Sequence, residues 1–329
     1  MNDPIVSVII PTYNRAHLLP QAIDSVLAQN LPDMELVVVN DGSTDATQEV
    51  LKQYATRIVS ISQPNGGCTK AKHRGTEVAR GQFLSFLGDD DRMLPDTLAP
   101  RVEFLLAHPE VAAVSGSAII EGRENEDLFE KCGVQFAGQQ TVVFHRPFQK
   151  MLLTDFIIDG ACVFRRDRFV EVGGFDMTLQ ASQDWDLYLR MARLWPLACM
   201  NLPCTWGGVQ RTLGGLPGRN ISGSALELAC DIRIFHKALG YGEPIDPTIR
   251  RRVLQRLYRL LKGYLILEAE GKIPAHSRIE VMRYVSPLPW HRRMAISIVA
   301  AMPRGLLAFG LREGRRLKRL FRGMGSPQG

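Results

Sequence analysis

Four short apolar runs divide the first ninety residues: IVSVII at 5–10, ELVVVN at 35–40, IVSIS at 58–62 and QFLSFL at 82–87. Each is apolar through most of its length instead of at alternate positions. Runs of that kind suit strands covered on both faces, which requires helices above and below a parallel sheet. The intervening segments agree. Residues 17–29 place Leu18, Ala22, Ile23, Val26 and Leu27 at helical spacing. The DGSTD turn at 41–45 can cap a helix over 46–54. A third helix is predicted over 70–79, after the turn Asn65-Gly66-Gly67, and Gly81 closes it. The alternation predicts an α/β fold, and ligands of such sheets bind beyond the carboxyl ends of the strands.

Chemistry-bearing residues stand at those ends. Pro11 is expected to end the first strand, and Asn14-Arg15 follow it. Asp41 follows the second strand. The fourth runs into FLSFLGDDDRMLP, in which Gly88 precedes Asp89, Asp90 and Asp91. Carboxylates gathered in one crevice repel one another unless a cation or a donor-rich ligand joins them. Mg²⁺ or Mn²⁺ with a nucleotide diphosphate would satisfy them, since these ions take one or two carboxylates plus phosphate oxygens. A plainer reading is that the aspartates cap the next helix, and Asp41 is equally explained by turn chemistry.

Beyond Pro95 the pattern mixes. Residues 96–107 and 183–194 read as helices, 111–117 and 160–164 as strands, 172–176 as a turn. GGVQRTLGGLPGRNISGS at 207–224 reads as a mobile loop, and 250–270 as an amphipathic helix. The N-terminus has no basic segment followed by an apolar one, so it reads as mature structure, not a signal peptide. The six cysteines form no CxxC pair and read as reduced thiols of a cytoplasmic protein. The formal net charge is +6, yet Arg292 to Arg322 alone holds nine Arg or Lys against Glu313. The remainder is close to neutral, so no nucleic-acid surface is implied.

VSVIIPTYNR, VVVNDGSTD, NGGCTKAKHRGTEVARG and FLSFLGDDDRMLP, followed by CVFRRDRFVEVGGFD and SQDWDLYLRMA, resemble the family 2 glycosyltransferases of GT-A fold in order and spacing. The resemblance covers about residues 5–215. It implies a Rossmann-like mixed α/β sheet with helices on both faces, and a helical C-terminal extension. The catalytic domain would span 1–225, with a nucleotide-binding half at 1–95 and an acceptor half with lid loop at 96–225. The basic extension would span 226–329. It also implies that Thr12, Tyr13 and Arg15 lie near the base and diphosphate of a nucleotide sugar, and that Asp41 bonds the base. Lys70 and Arg74 would lie under the nucleotide, with Asp89 towards the ribose. Asp90 and Asp91 would hold Mn²⁺ or Mg²⁺. The commoner form is DSDD, and here Gly88 takes the first acidic position. Asp184 matches the general base, with Gln183 replacing the usual Glu. Arg211 in the 207–224 loop would reach the diphosphate, although the histidine common there is missing.

The implied reaction is inverting, metal-dependent transfer of a sugar from a UDP- or dTDP-sugar to a hydroxyl. The acceptor would be a glycan or a lipid-linked acceptor of bacterial surface polysaccharide synthesis. A catalytically silent glycan- or partner-binding relative is the alternative. A dinucleotide oxidoreductase is disfavoured, since no GxGxxG follows the first strand. A pyrophosphorylase would need glycines in IIPTYNRAHLLP, which has none. Residues 306–322, LLAFGLREGRRLKRLFR, resemble an interfacial amphipathic helix and point to an anionic membrane surface. A C-terminal helix packed on the catalytic domain with a solvated basic face is the simpler reading of the same residues.

Overall fold

The computed structural model describes residues 3–207, 225–269 and 282–301. The chain divides into two compact units, Met1–Ser222 and Gly223–Gly329.

In the first unit the predicted alternation appears as β1 (Val6–Thr12), α1 (Leu19–Leu27), β2 (Met34–Asn40), α2 (Thr47–Gln53), β3 (Val59–Ser62), α3 (Cys68–Val78) and β4 (Phe83–Phe86). β5 (Asp91–Met93), α4 (Leu98–Ala107), β6 (Ala113–Ile120), α5 (Leu128–Lys131), β7 (Thr141–Phe144) and α6 (Phe148–Leu153) follow. A 3-10 turn at Asp159–Ala161 leads into β8 (Cys162–Arg165), α7 (Arg166–Glu171), α8 (Gln183–Leu194) and β9 (Leu197–Gly207).

The strands form one sheet in the order β3-β2-β1-β4-β8-β6-β9-β5, with β7 paired to β9. β3, β2, β1 and β4 are parallel. β8 then runs antiparallel to both β4 and β6, so the sheet is mixed. Val6, Val8 and Ile10 are fully buried in one core with Ile23 and Val26 of α1 and Val38 of β2. Ile9 and Val39 are buried as well, so these strands are covered on both faces, which is why they read as continuous apolar runs.

Pro11 does not end the first strand. Pro11 and Thr12 continue the pairing with Val39 and Asn40. On the other side, pairing with β4 stops at Ile9 opposite Phe86, so the proline's missing N–H falls where no strand asks for it.

In the second unit α9 (Ala225–Leu239) packs on α10 (Pro247–Ala269), and α10 on α11 (Trp290–Ala301). The predicted 250–270 helix therefore starts three residues earlier. Ile232, Phe235, Leu257, Leu261 and Ile296 are buried, while Arg292 lies 5.3 Å from the Tyr258 ring. No helix among the described residues is long and apolar enough to cross a membrane.

Candidate active site

The carboxyl ends of β1, β2 and β4 converge as the strand alternation requires. Arg15, just past β1, donates from Nη1 to Asp89 Oδ1 at 2.7 Å and lies 3.0 Å from Asp90 Oδ2. Burial opposes the Arg15 charge, but the two carboxylates outweigh it and hold its pKa above the usual value. Asp89 is almost fully buried, and that burial raises its pKa against the pull of Arg15 and the Thr12 hydroxyl.

Gly88 accounts for its own identity. A Cβ there would sit 2.8 Å from Asp91 Oδ2 and 2.9 Å from Asp90 Oδ1. Two carboxylate oxygens thus converge on the space a side chain would fill. Asp91 opens β5 and is buried, with Gly160 and Gly207 close to its carboxylate. Among the described residues no three His, Cys, Asp or Glu side chains assemble a complete cation cage. A pair of carboxylates fits a hard divalent ion that takes its remaining oxygens from a bound diphosphate and water.

Asp41 performs turn chemistry. Its carboxylate accepts from Gln63 Nε2 at 2.7 Å and from the backbone N–H groups of Gly66 and Gly67 at 2.9 and 2.8 Å. It thereby shapes the turn leading into α3. Thr12 is buried and Tyr13 is 44 % exposed at the crevice mouth, its ring open to a ligand. Lys70 is exposed, its stem lying along Gly66. Arg74 pairs with Glu77 at 2.8 Å on the outer face of α3 and does not join the carboxylate cluster. His73 lies 3.6 Å from the same glutamate. Arg211 and the rest of the expected 207–224 loop lie outside the described residues, except that Gly207 ends β9.

Asp184 occupies the first turn of α8, after Ser182 at φ 52°. Ser182 makes no side-chain cap there. Trp185 is core: its indole donates to Met151 O at 3.1 Å. Asp186 is buried and accepts from Arg190 Nε at 2.8 Å. The same guanidinium donates to the carbonyls of Val172 and Gly174 at 2.5 and 2.6 Å, fixing the turn before α8. Gly173 and Gly174 have φ of 82° and 62°, which explains the paired glycines without a ligand. Trp206 lines a separate cavity of about 430 Å³ with Ser25, Ala28, Met93 and Pro95.

A cluster that sequence reasoning missed joins α3 and α8 to the turn before β8. Lys72 of α3 is buried and makes a short ion pair with Asp159 Oδ2. Tyr188 Oη donates to the other oxygen, Oδ1, at 3.1 Å. Burial opposes the Lys72 charge, yet Asp159, Cys68 and Asp184 overcome it and hold the ammonium pKa well above the usual value. Cys68, the first residue of α3, is exposed. The signal for Lys72 was present within NGGCTKAKHRG. Asp159 stands 87 residues away and no local pattern marks it.

A sheet that is parallel through β3, β2, β1 and β4 and reverses at β8, with carboxylates at its carboxyl edge, defines a mixed α/β protein. Residues 7–173, just over half of the chain, match the profile of Glycosyl transferase family 2. The chain belongs to that family, and it is a glycosyltransferase. An uncharacterized glycosyltransferase of Rickettsia typhi is 27% identical over 264 residues, covering 73% of this chain and 82% of the relative. A PGL/p-HBAD biosynthesis glycosyltransferase of Mycobacterium bovis is 31% identical, covering 58% and 70%. S. aureus TarS 1-349 in complex with UDP-GlcNAc superposes with a TM-score of 0.64 at 16% identity, covering 94% of this chain and 92% of that one. The mannosyltransferase PcManGT of Pyrobaculum calidifontis, in complex with GDP-Man and Mn2+, gives 0.57 at 20% identity, covering 91% and 86%. These likenesses establish the GT-A-like fold.

Proposed function

We propose that the enzyme moves a sugar, with inversion, from a nucleotide-diphosphate sugar to a hydroxyl of a glycan or lipid-linked acceptor in bacterial surface polysaccharide synthesis. A UDP- or dTDP-sugar is the favoured donor. The observation that carries this reading is the convergence of Arg15, Asp89, Asp90 and Asp91 beyond β1 and β4. TarS with UDP-GlcNAc and PcManGT with GDP-Man give precedent for the donor class.

In this reading Tyr13 stacks on the base, and Thr12, Arg15, Asp41 and Asp89 line the nucleotide. Lys70 of α3 and Arg211, outside the described residues, would complete the donor contacts, and Arg74 would join them only by leaving Glu77. Asp184 accepts the acceptor hydroxyl's proton as its oxygen attacks the anomeric carbon. The bond from that carbon to the diphosphate oxygen breaks as the new glycosidic bond forms on the opposite face, so the configuration inverts. Mn²⁺ or Mg²⁺ held by Asp90 and Asp91 would offset the charge on the departing diphosphate.

A peripheral position on the inner face of the cytoplasmic membrane belongs to the same proposal. Its expected anchor, 306–322, lies outside the described residues. α10 lends support, since Arg251, Arg252, Arg259 and Lys262 are exposed and no acid precedes Glu268 in that helix.

Calorimetric titration with UDP, dTDP, GDP and CMP tests the donor site, with and without Mn²⁺, on the native chain and on Asp90→Ala. One nucleotide should bind, dependent on both the metal and Asp90. Absence of binding under every condition would overturn the assignment.

A further inference from the structure

The cavity beside Trp206 lies at the outer edge of the sheet, where β5 is the last strand. Ala28, Met93, Leu94, Pro95 and Trp206 give it apolar walls around about 430 Å³, a volume within the range of small-ligand sites. Ala28, Arg92 and Pro95 are exposed, so it opens to solvent. Hydrogen bonds from α1 and the residues after it hold the walls apart. Ser25 Oγ accepts from Met93 N at 3.0 Å, and Gln29 Nε2 donates to Leu94 O at 2.9 Å. Gln29 Oε1 accepts from Thr97 N and Leu98 N, each at 3.2 Å. The end of α1 and the chain from β5 onward are thereby kept at a fixed separation. An apolar gap of this size forfeits packing contacts along its lining. An apolar group from outside the chain would recover them.

The mouth adds a charge. Arg92 stands opposite Trp206 in the β5–β9 ladder, so the two side chains share one face of the sheet. Arg92 lines the cavity, is exposed, and makes no ion pair among the described residues. The Trp206 indole N–H is buried and meets no acceptor among them. An apolar cavity with an unpaired guanidinium and an unpaired donor on its wall suits an anionic head on an apolar chain. Resting on the reading of the enzyme as a transferase to a lipid-linked acceptor, we propose that this cavity takes the apolar chain of that acceptor, with its phosphate against Arg92. Asp91 immediately precedes Arg92, so a chain held here keeps the rest of the acceptor beside the carboxylate cluster. Anchoring the lipid end raises the effective concentration of the acceptor hydroxyl at the donor.

Calorimetry on the full chain with single-chain probes tests this without the natural acceptor. Decyl phosphate should bind, and inorganic phosphate and decyltrimethylammonium should bind at least about tenfold more weakly. Ala28→Phe places a ring at the mouth from an exposed position and should weaken decyl phosphate by about tenfold. Arg92→Gln should weaken it by about tenfold and leave decanol unchanged. Thermal unfolding and nucleotide binding should be the same in both variants as in the native chain, which separates a lost site from a lost fold. Absence of decyl phosphate binding, equal binding of the cationic probe, or indifference to either substitution overturns the proposal. A phosphate head on an apolar chain is also the chemistry of a bilayer lipid. Phosphatidylglycerol vesicles should bind Ala28→Phe and the native chain alike, and loss of vesicle binding in Ala28→Phe would give the cavity to the bilayer instead of the acceptor. Turnover with a panel of decyl-phosphate-linked sugars tests the reading beneath. Transfer to one of them without decyl phosphate binding would keep the lipid-linked acceptor and overturn the cavity alone. Binding without transfer to any would remove the lipid-linked acceptor and this role for the cavity with it.

Discussion

Arg15 donates to Asp89 across 2.7 Å and so ties the chain after β1 to the chain after β4. The same guanidinium also neutralises Asp90. Its positive charge stands where a divalent cation would be attracted. Arg15→Gln should therefore raise the affinity for Mn²⁺ alone by about tenfold while weakening the nucleotide. Paramagnetic resonance of free Mn²⁺ and calorimetry of the diphosphate would show the two opposite changes.

Gly88→Asp would restore the family's commoner acidic form at this position. Here a side chain would press on Asp90 and Asp91 at under 3 Å and add a third like charge. The expected cost is about 1–3 kcal/mol, with weaker Mn²⁺-dependent nucleotide binding. Thermal unfolding and the donor titration measure the two effects.

Asp41→Asn leaves three donors around a side chain that can no longer accept from all of them. The loss should be about 1–3 kcal/mol of stability, with or without nucleotide. A binding defect at unchanged stability would instead mean that Asp41 serves the base alone.

Asp184→Asn keeps the shape and removes the proton acceptor. Turnover should fall by about 10²–10⁴-fold while nucleotide affinity stays within about twofold. Rapid-quench turnover and calorimetry on one preparation separate these effects.

Glu35 gives a pH signature away from the site. Burial raises its pKa, but the Ser7 hydroxyl at 2.5 Å, the Arg80 N–H at 2.6 Å and the Arg80 guanidinium at 3.2 Å outweigh it. The folded value lies below the unfolded one. The associated stability is thus present above the unfolded glutamate's pKa and is lost as pH falls through the folded value. Glu35→Gln should unfold at a lower temperature than the native chain near pH 6, and the gap should narrow towards about pH 3. Melting curves across that window check it.

The parallel half of the sheet was legible because its signal is local. β1, β2 and β4 are apolar on both faces, and the charged residues beyond them follow directly. β9 was not legible. It is eleven residues long and holds Pro203, which sequence reasoning counts against a strand. The sheet accommodates Pro203 beside register shifts in the β6–β9 pairing, a relation set by residues some ninety positions apart. β5 was hidden for another reason. Its first residue is Asp91, read as a ligand or a cap, and only the antiparallel partner Gly207 makes it a strand. Lys72 is similar. On α3 it looks like one more lysine in a basic helix, and its significance comes from Asp159, on a segment read only as the approach to a strand.

The hydrogen bonding of β8 to β4 bears on how such enzymes can be recombined. Phe83, Leu84 and Ser85 face Arg165, Phe164 and Val163 within one ladder, so the stretches before and after residue 95 are not separable modules. A chimera joined near residue 95 would import a β8 that must rebuild that ladder on a foreign β4, and a Lys72 without its own Asp159. Swapping acceptor preference among relatives is therefore a problem of grafting loops onto an intact sheet. The natural place for a splice is past Gly207, where the last shared strand ends.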